Sequence, residues 1–328
     1  MSRFACFLLS MQLWVPPVVA ASLTEVDEFG DNPGNISMYQ YVPENMPANA
    51  PLVVSLHGCR QDAETYSKAG WIQLAEQWKF YLIFPEQKRF NNPYQCWNWF
   101  QADDTTRGEG EVQSIIEMVK KMKADHAIDT NRVYVEGLSA GAFLTTVLLA
   151  SYPDVFAGGA THAGGPAFCA RTERYFWDVF RWWNYYSAKQ DARSCMEGVD
   201  KTPEQWRKLV EEYGAKPDGS WPIISIWQGD ADEAVNKLNQ QEIIDQWTAL
   251  HGADQVADRE TRLGANGAIL LQEYHNAAGK TVVQSFLIPD LQHGLAVAPG
   301  QSCGEESDYI LDVGICAARM IGHFWGLQ

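Results

Sequence analysis

The feature that most constrains this chain is one turn, Gly137-Leu138-Ser139-Ala140-Gly141, set between the strand-like run Val133-Tyr134-Val135 and the apolar helical run Ala142 to Leu149. A strand that passes into a helix through G-x-S-x-G must turn sharply, and a side chain at either glycine would clash there. The serine is then pushed up at the head of a sheet, the setting of a nucleophile elbow. The plainer reading of Ser139 is an ordinary helix N-cap. The two glycines and the strand and helix around them favour the elbow.

The rest of the chain supplies the sheet that such an elbow needs. Strand-length apolar runs fall at Ser37–Val42, Leu52–His57, Tyr81–Phe84, Arg132–Glu136, Phe156–His162, Ile223–Trp227, Ile269–Tyr274 and Val282–Ile288. Helical periodicity falls at Glu64–Lys79, Glu109–His126, Ala140–Ser151, Pro203–Tyr213, Lys237–His251 and Asp308–Trp325. Alternation of this kind predicts βαβ units, hence an α/β fold with a mainly parallel central sheet and helices on both faces. No repeat or low-complexity linker divides the 328 residues, so one catalytic domain over 22–328 is expected. One segment breaks the rhythm: eight aromatics crowd into Tyr175 to Tyr186, inside an insertion at 170–195. That density suggests a lid or adsorption surface, the rival being an extra helix packed on itself.

Charge removes whole classes of partner. Lys plus Arg is 25 and Asp plus Glu is 41, a net charge of −16, which repels nucleic acid and anionic membranes. The first 21 residues have a basic start at Arg3, an apolar run Phe4 to Leu13 and small residues before a cut after Ala20 or Ala21, the order of a secretory signal peptide. Gln12, Pro16 and Pro17 leave that run short of a spanning helix. A secreted, extracellular or periplasmic monomer is expected. Cleavage would remove Cys6 and leave six cysteines, which allow 15 pairings. Neighbour pairing is expected: Cys59 with Cys96, Cys169 with Cys195, and Cys303 with Cys316. No CxxC or Cys/His cluster suggests a metal.

A serine hydroxyl needs a base, and the base needs an orienting acid. In chains built around such an elbow the order is Ser, acid, His, each on a loop after a strand. His293 lies directly after the last long strand and is the expected base; His162 is its main competitor. Asp230 and Asp232 both follow the strand Ile223–Trp227, and the residues alone do not separate them. Two backbone donors must face the oxyanion: Ala140 N–H, next to the serine, and Cys59 N–H, at the end of Leu56-His57-Gly58-Cys59.

Several blocks also carry a family resemblance: Pro51 to Cys59, Cys96-Trp97-Asn98-Trp99-Phe100, Arg107-Gly108-Glu109-Gly110-Glu111, Val135 to Gly141, Tyr152 to Gly159, Ser225 to Val235, and Asp312 to Cys316. In this order they resemble the catalytic domain of extracellular poly(3-hydroxybutyrate) depolymerases, over about residues 23 to 327. The resemblance implies an α/β-hydrolase fold and a secreted esterase that cleaves 3-hydroxyalkanoate chains without metal or cofactor. It implies Asp232 as the acid in preference to Asp230, and Cys59 as the second oxyanion donor. Trp97, Trp99, Trp182 and Trp183 are the expected substrate contacts. Gln228 departs from the pattern, since such enzymes usually carry His there. Multidomain members continue into a linker and polymer-binding domain; none is expected here, and the aromatic block would stand in for it. The rival readings are an acetylxylan or feruloyl esterase, which the blocks at Cys96 and Arg107 argue against, and a non-catalytic secreted binding protein, which an intact Ser, Asp and His set argues against.

Overall fold

Leu52, Val53 and Val54 are all fully buried, and they alternate between two cores, Leu52 and Val54 in one and Val53 in the other. A strand covered on both faces needs no polar side, so it reads as an unbroken apolar run. Each such side chain contributes about 1.5–3 kcal/mol by leaving water. The computed structural model describes residues 22–171, 190–217, 219–264 and 266–328. The expected leader at 1–21 and the aromatic block with Trp182 and Trp183 lie outside the described residues.

The main sheet has ten strands: β1 (Thr24–Glu25), β2 (Ser37–Tyr41), β3 (Ala50–Leu56), β4 (Tyr81–Glu86), β5 (Ile128–Leu138), β6 (Gly158–His162), β7 (Ile223–Gly229), β8 (Arg259–Leu263), β9 (Ile269–His275) and β10 (Thr281–Ile288). Their spatial order is β1-β2-β4-β3-β5-β6-β7-β10-β9-β8. The central pairs are parallel and the outer pairs antiparallel. The described helices that bear on the argument are α1 (Ala63–Tyr66), α2 (Trp71–Trp78), α3 (Ala102–Thr105), α4 (Gly110–Asp125), α5 (Ala140–Ser151), α6 (Pro203–Tyr213), α7 (Leu238–His251) and α8 (Ala317–Trp325). Residues of α4 and α7 join the core on one face, and Trp71 of α2 stacks on Trp325 of α8 in the core on the other. This is the α/β-hydrolase arrangement. No helix among the described residues is long and apolar enough to cross a membrane.

Two helices differ from expectation. The run Glu64–Lys79 breaks into α1, a 3-10 turn and α2, because Gly70 takes a left-handed φ of 97° beside Cys303. The run Asp308–Trp325 is a helix only from Ala317, since Ile310–Asp312 forms a short strand, β12, parallel to β11 (Leu295–Val297). Ile310 is fully buried there, and Asp312 Oδ1 accepts the Gly314 N–H at 3.0 Å, turning the chain out of the strand. Strand β8, Arg-Glu-Thr-Arg-Leu, shows no apolar alternation; it is a largely exposed edge strand held by its pairing with β9.

Strands β3, β5, β7 and β10 run parallel, so their carboxyl ends meet at one edge of the sheet. Cys59, Ser139, Asp232 and His293 all follow those ends. Ligand sites of open parallel sheets form at this edge.

Candidate active site

Ser139 closes β5 and caps α5 with φ 56° and ψ −119°, a conformation that a non-glycine residue adopts only under constraint. The constraint is visible. A Cβ on Gly137 would lie 2.5 Å from the Gly141 carbonyl carbon, and one on Gly141 would run into Leu56 O and lie 2.7 Å from His57 O. Strand β3 and the first turn of α5 therefore touch backbone to backbone. The Ser139 N–H donates to His162 O at 2.8 Å, fixing the turn from the other side.

His293 Nε2 lies 2.9 Å from Ser139 Oγ, and His293 Nδ1 lies 2.9 Å from Asp232 Oδ2. The Asp232 side chain is fully covered, and its Oδ1 accepts the N–H groups of Ala234 at 2.8 Å and Val235 at 2.9 Å. Burial works to raise this carboxyl, yet hydrogen bonds from His293, Val235 and Ala234 outweigh it and hold Asp232 below the usual carboxylate range. Asp232 is thus ionised and aimed at Nδ1, which leaves Nε2 able to accept a proton from the serine. Asp230 points elsewhere. Its Oδ1 accepts the Asp290 N–H at 2.7 Å, tying the loop after β7 to the loop that carries His293. Gln228 Nε2 lies within 3.3 Å of Asp232 Oδ2, Gly229 O and Val235 O, a neutral brace behind the carboxylate.

Ala140 opens α5, so its N–H has no acceptor within the helix. Among the described residues the Cys59 N–H has no protein acceptor either. Both residues line a cavity of about 750 Å³ together with Ser139, Asn92, Tyr94, Trp99, Phe100, Phe143 and Met196. The cavity wall is mainly apolar, and Cys59, Ser139 and Ala140 are all part of it. An ester carbonyl in this position would have a nucleophile on its carbon and donors for its oxygen.

The loop that carries Cys59 is held by His57 and Gln61, absent from the expected set, and by Trp97, expected in another role. His57 is fully buried; its Nε2 accepts the Gln87 N–H at 3.0 Å, so Nδ1 carries the proton and donates to Gly58 O at 2.7 Å. Burial lowers its pKa to about 4, keeping it neutral. Gln61 Oε1 accepts the Gly58 N–H at 2.7 Å. Trp97 has no exposed surface, and its indole N–H donates to His57 O at 2.9 Å. The expectation of a substrate contact at Trp97 is therefore corrected: its indole is used up bracing β3. Trp99 does line the cavity, stacked on Phe143 with ring centroids 4.0 Å apart.

Two other blocks shared with the family act through structure. Glu111 is buried and accepts from Asn98 N at 2.8 Å, from Asn98 Nδ2 at 2.8 Å and from the Gln87 side chain, so it joins the Cys96–Phe100 loop to α4. Arg107 grips Asp154 with two hydrogen bonds, at 2.6 and 2.8 Å. Glu111 thus faces Asn98 and does not line the cavity that holds Ser139.

His162 is excluded as a base by its surroundings. Its ring is buried on the far side of the turn, 3.7 Å from Glu136 Oε2, and burial lowers its pKa to about 3. Burial also pushes the Glu136 carboxyl up to about 8, against hydrogen bonds from Ser55 and Tyr66, so the cluster under Ser139 is held largely uncharged at neutral pH.

All three expected disulfides are bonded: Cys59–Cys96, Cys169–Cys195 and Cys303–Cys316. The first joins the Cys59 loop to the Trp97 loop at the cavity. Replacing both its cysteines by alanine opens a bridge spanning 37 residues and is expected to cost about 4 kcal/mol of stability by loop entropy. Ester turnover should fall as well, because the Cys59 N–H loses its anchor. Thermal unfolding and an esterase assay check this; unchanged turnover would show that the bridge does not hold the donor.

The family profile described as "Esterase PHB depolymerase" matches residues 36–184. Poly(3-hydroxyalkanoate) depolymerase C of Paucimonas lemoignei is 44% identical over 336 aligned residues, covering 99% of this chain and 77% of that protein. A probable acetylxylan esterase A of Aspergillus flavus is 35% identical over 74% of this chain and 75% of its own. The solved acetyl xylan esterase from Aspergillus awamori superposes with a TM-score of 0.73 at 26% identity, covering 94% of this chain and all of that one. An identity of this size over nearly the whole chain, joined to the fold described above, makes this chain a member of the PHB depolymerase esterase family and a serine hydrolase of carboxylic esters.

Proposed function

We propose that this enzyme hydrolyses the ester bonds of poly(3-hydroxybutyrate) or related 3-hydroxyalkanoate polymers and oligomers through a Ser139-His293-Asp232 triad. The observation that carries the reading is the unbroken chain Ser139 Oγ, His293, Asp232, with links of 2.9 and 2.9 Å, opening on a largely apolar cavity. Ser139 Oγ attacks the ester carbonyl while His293 Nε2 takes its proton. The N–H groups of Cys59 and Ala140 hold the oxyanion, His293 protonates the departing hydroxyl, and water then releases the acyl group by the same route. Asp232 keeps the imidazole in the accepting tautomer and stabilises its charged form.

The likeness to the depolymerase from Paucimonas lemoignei supports a polyester substrate, and the apolar wall of Trp99, Phe100 and Phe143 suits a chain without sugar hydroxyls. The acetylxylan esterase relatives carry a second reading, an acetyl ester on a carbohydrate. Release of soluble acid from polyhydroxybutyrate and from acetylated xylan by the purified enzyme separates them. Release from the polyester alone is expected. Release from xylan alone would overturn the reading. A single catalytic domain exported after removal of residues 1–20 or 1–21 completes the proposal; the three disulfides support it, and enzyme from the medium should begin at Ala21 or Ser22.

A further inference from the structure

The residue after Cys59 is an arginine in an unusual state. Arg60 has φ 66°, in the left-handed region where glycine is at ease and arginine is not. Its N–H donates to Tyr94 O at 2.7 Å, and its guanidinium carbon lies 5.5 Å from the centre of the Tyr94 ring. Tyr94 lines the cavity that holds Ser139, and Tyr94 is itself half exposed. Arg60 is therefore held at both ends against Tyr94, a residue of the cavity wall, and follows the expected oxyanion donor in the chain.

Its charge is unspent. Among the described residues no carboxylate lies within ion-pair reach of Arg60, although the protein has 41 acidic residues against 25 basic ones. The nearest acid in sequence, Asp62, accepts the Thr65 N–H at 2.7 Å as the cap of α1. The loop 87–95, which carries Asn92 and Tyr94 to the cavity, also bears Lys88 and Arg89, whose side chains donate to Asn35 and Gln95. Arg193, which also lines the cavity, is paired with Glu197 at 3.0 Å. Among the described residues, a net negative protein thus keeps a cation without an acidic partner against Tyr94 of the cavity wall.

We propose, resting on the polyester reading above, that Arg60 is a specificity-determining residue that binds the terminal carboxylate of short 3-hydroxyalkanoate oligomers. The interior of such a polyester has no charge, but every cut leaves a fragment ending in a carboxylate. When the terminal unit is the leaving group, its departing oxygen and its carboxylate belong to the same hydroxy acid. The guanidinium lies against Tyr94, which lines the same cavity as Ser139, and it is there that this carboxylate would be met. A planar guanidinium backed by a tyrosine ring offers it paired donors. The −16 field repels such anions elsewhere, so the rim decides which end of an oligomer enters.

The test compares the trimer of 3-hydroxybutyrate as free acid with its methyl ester, for wild type, Arg60→Gln and Arg60→Gly. Glycine accepts the positive φ without strain, so a loss in that variant does not arise from misfolding. Wild type is expected to show a higher kcat/KM for the acid than for the ester. The acid-to-ester ratio should fall about fivefold in both variants. It should fall similarly for wild type in high salt, which screens the pair. A ratio that is the same in wild type and variants overturns the proposal while leaving the polyester reading intact. Failure of wild type to cleave either trimer, with acetylated xylan deacetylated, overturns both.

Discussion

Replacing Ser139 with alanine is expected to lower kcat for ester hydrolysis by about 10⁶-fold while the fold is kept, because its hydroxyl lies 2.9 Å from His293 Nε2 in the cavity that Cys59 and Ala140 also line. Asp232→Asn should cost about 10⁴-fold. The reason lies in its neighbours. Ala234 and Val235 both present N–H groups to Oδ1, so the asparagine oxygen must face them and its NH₂ must face His293 Nδ1. The imidazole is then forced to keep its proton on Nε2, where it cannot take one from Ser139. Asp230→Asn is the control. Among the described residues the Asp230 side chain bonds only the Asp290 N–H, from an exposed position, so kcat should stay within a few-fold. Steady-state kinetics with a soluble short ester checks all three; equal losses at 230 and 232 would assign the acid wrongly. The pH dependence has a fixed sign. Asp232 is held below the usual carboxylate range, so its stabilising contribution is present above the unfolded-state pKa and is lost as pH falls through the folded-state value.

Gly141→Ala is the second large effect, and it acts on the fold. The added methyl would meet Leu56 O and lie 2.7 Å from His57 O, both backbone atoms of β3 or its end. Neither can move without shifting the strand that leads into the Cys59 loop. Destabilisation of about 3 kcal/mol is expected, and turnover should fall about 100-fold as Ser139 and the Ala140 N–H are displaced from each other. Gly300→Ala, with nothing within 4 Å of its added methyl, should stay within about 0.5 kcal/mol. Denaturant midpoints measure the difference. If Gly141→Ala melted like Gly300→Ala, the backbone contact between β3 and α5 would not be what shapes the turn.

Local signals were strong at some elements and silent at others. Helix α6 has Thr202 and Gln205 in a capping box with Pro203 at its first turn, and α5 starts at the elbow; both match their expected ranges to the residue. Such ends are written in residues that touch one another along the chain. The end of the chain is different. Ile310 is apolar in either a helix or a strand, and what makes it strand is the presence of β11, its parallel partner. Edge strand β8 likewise exists because β9 offers it hydrogen bonds, and its own five residues carry no pattern.

The candidate site divides in the same way. Residue types and order pointed to Ser139 and His293, because an elbow requires adjacent glycines and the base must follow the last long strand. Asp230 and Asp232 are two residues apart on one loop, and their own chemistry and order do not separate them; only the resemblance favoured Asp232. In the structure, one turns to Asp290 and the other to His293. Trp97 and Trp99 read alike as aromatics of one block, yet one donates to His57 O in the interior and the other lines the cavity. The bracing of Gly58 by His57 and Gln61 spans only neighbours, but it means something only beside the Gln87 N–H, supplied from the far end of β4. By itself, then, the sequence determined the sheet-and-helix alternation, the elbow and the class of chemistry, because those depend on residues close along the chain. Which acid faces the histidine, which tryptophan meets the cavity and which of fifteen cysteine pairings forms were decided by tertiary structure, because each depends on where a loop from a different strand comes to rest.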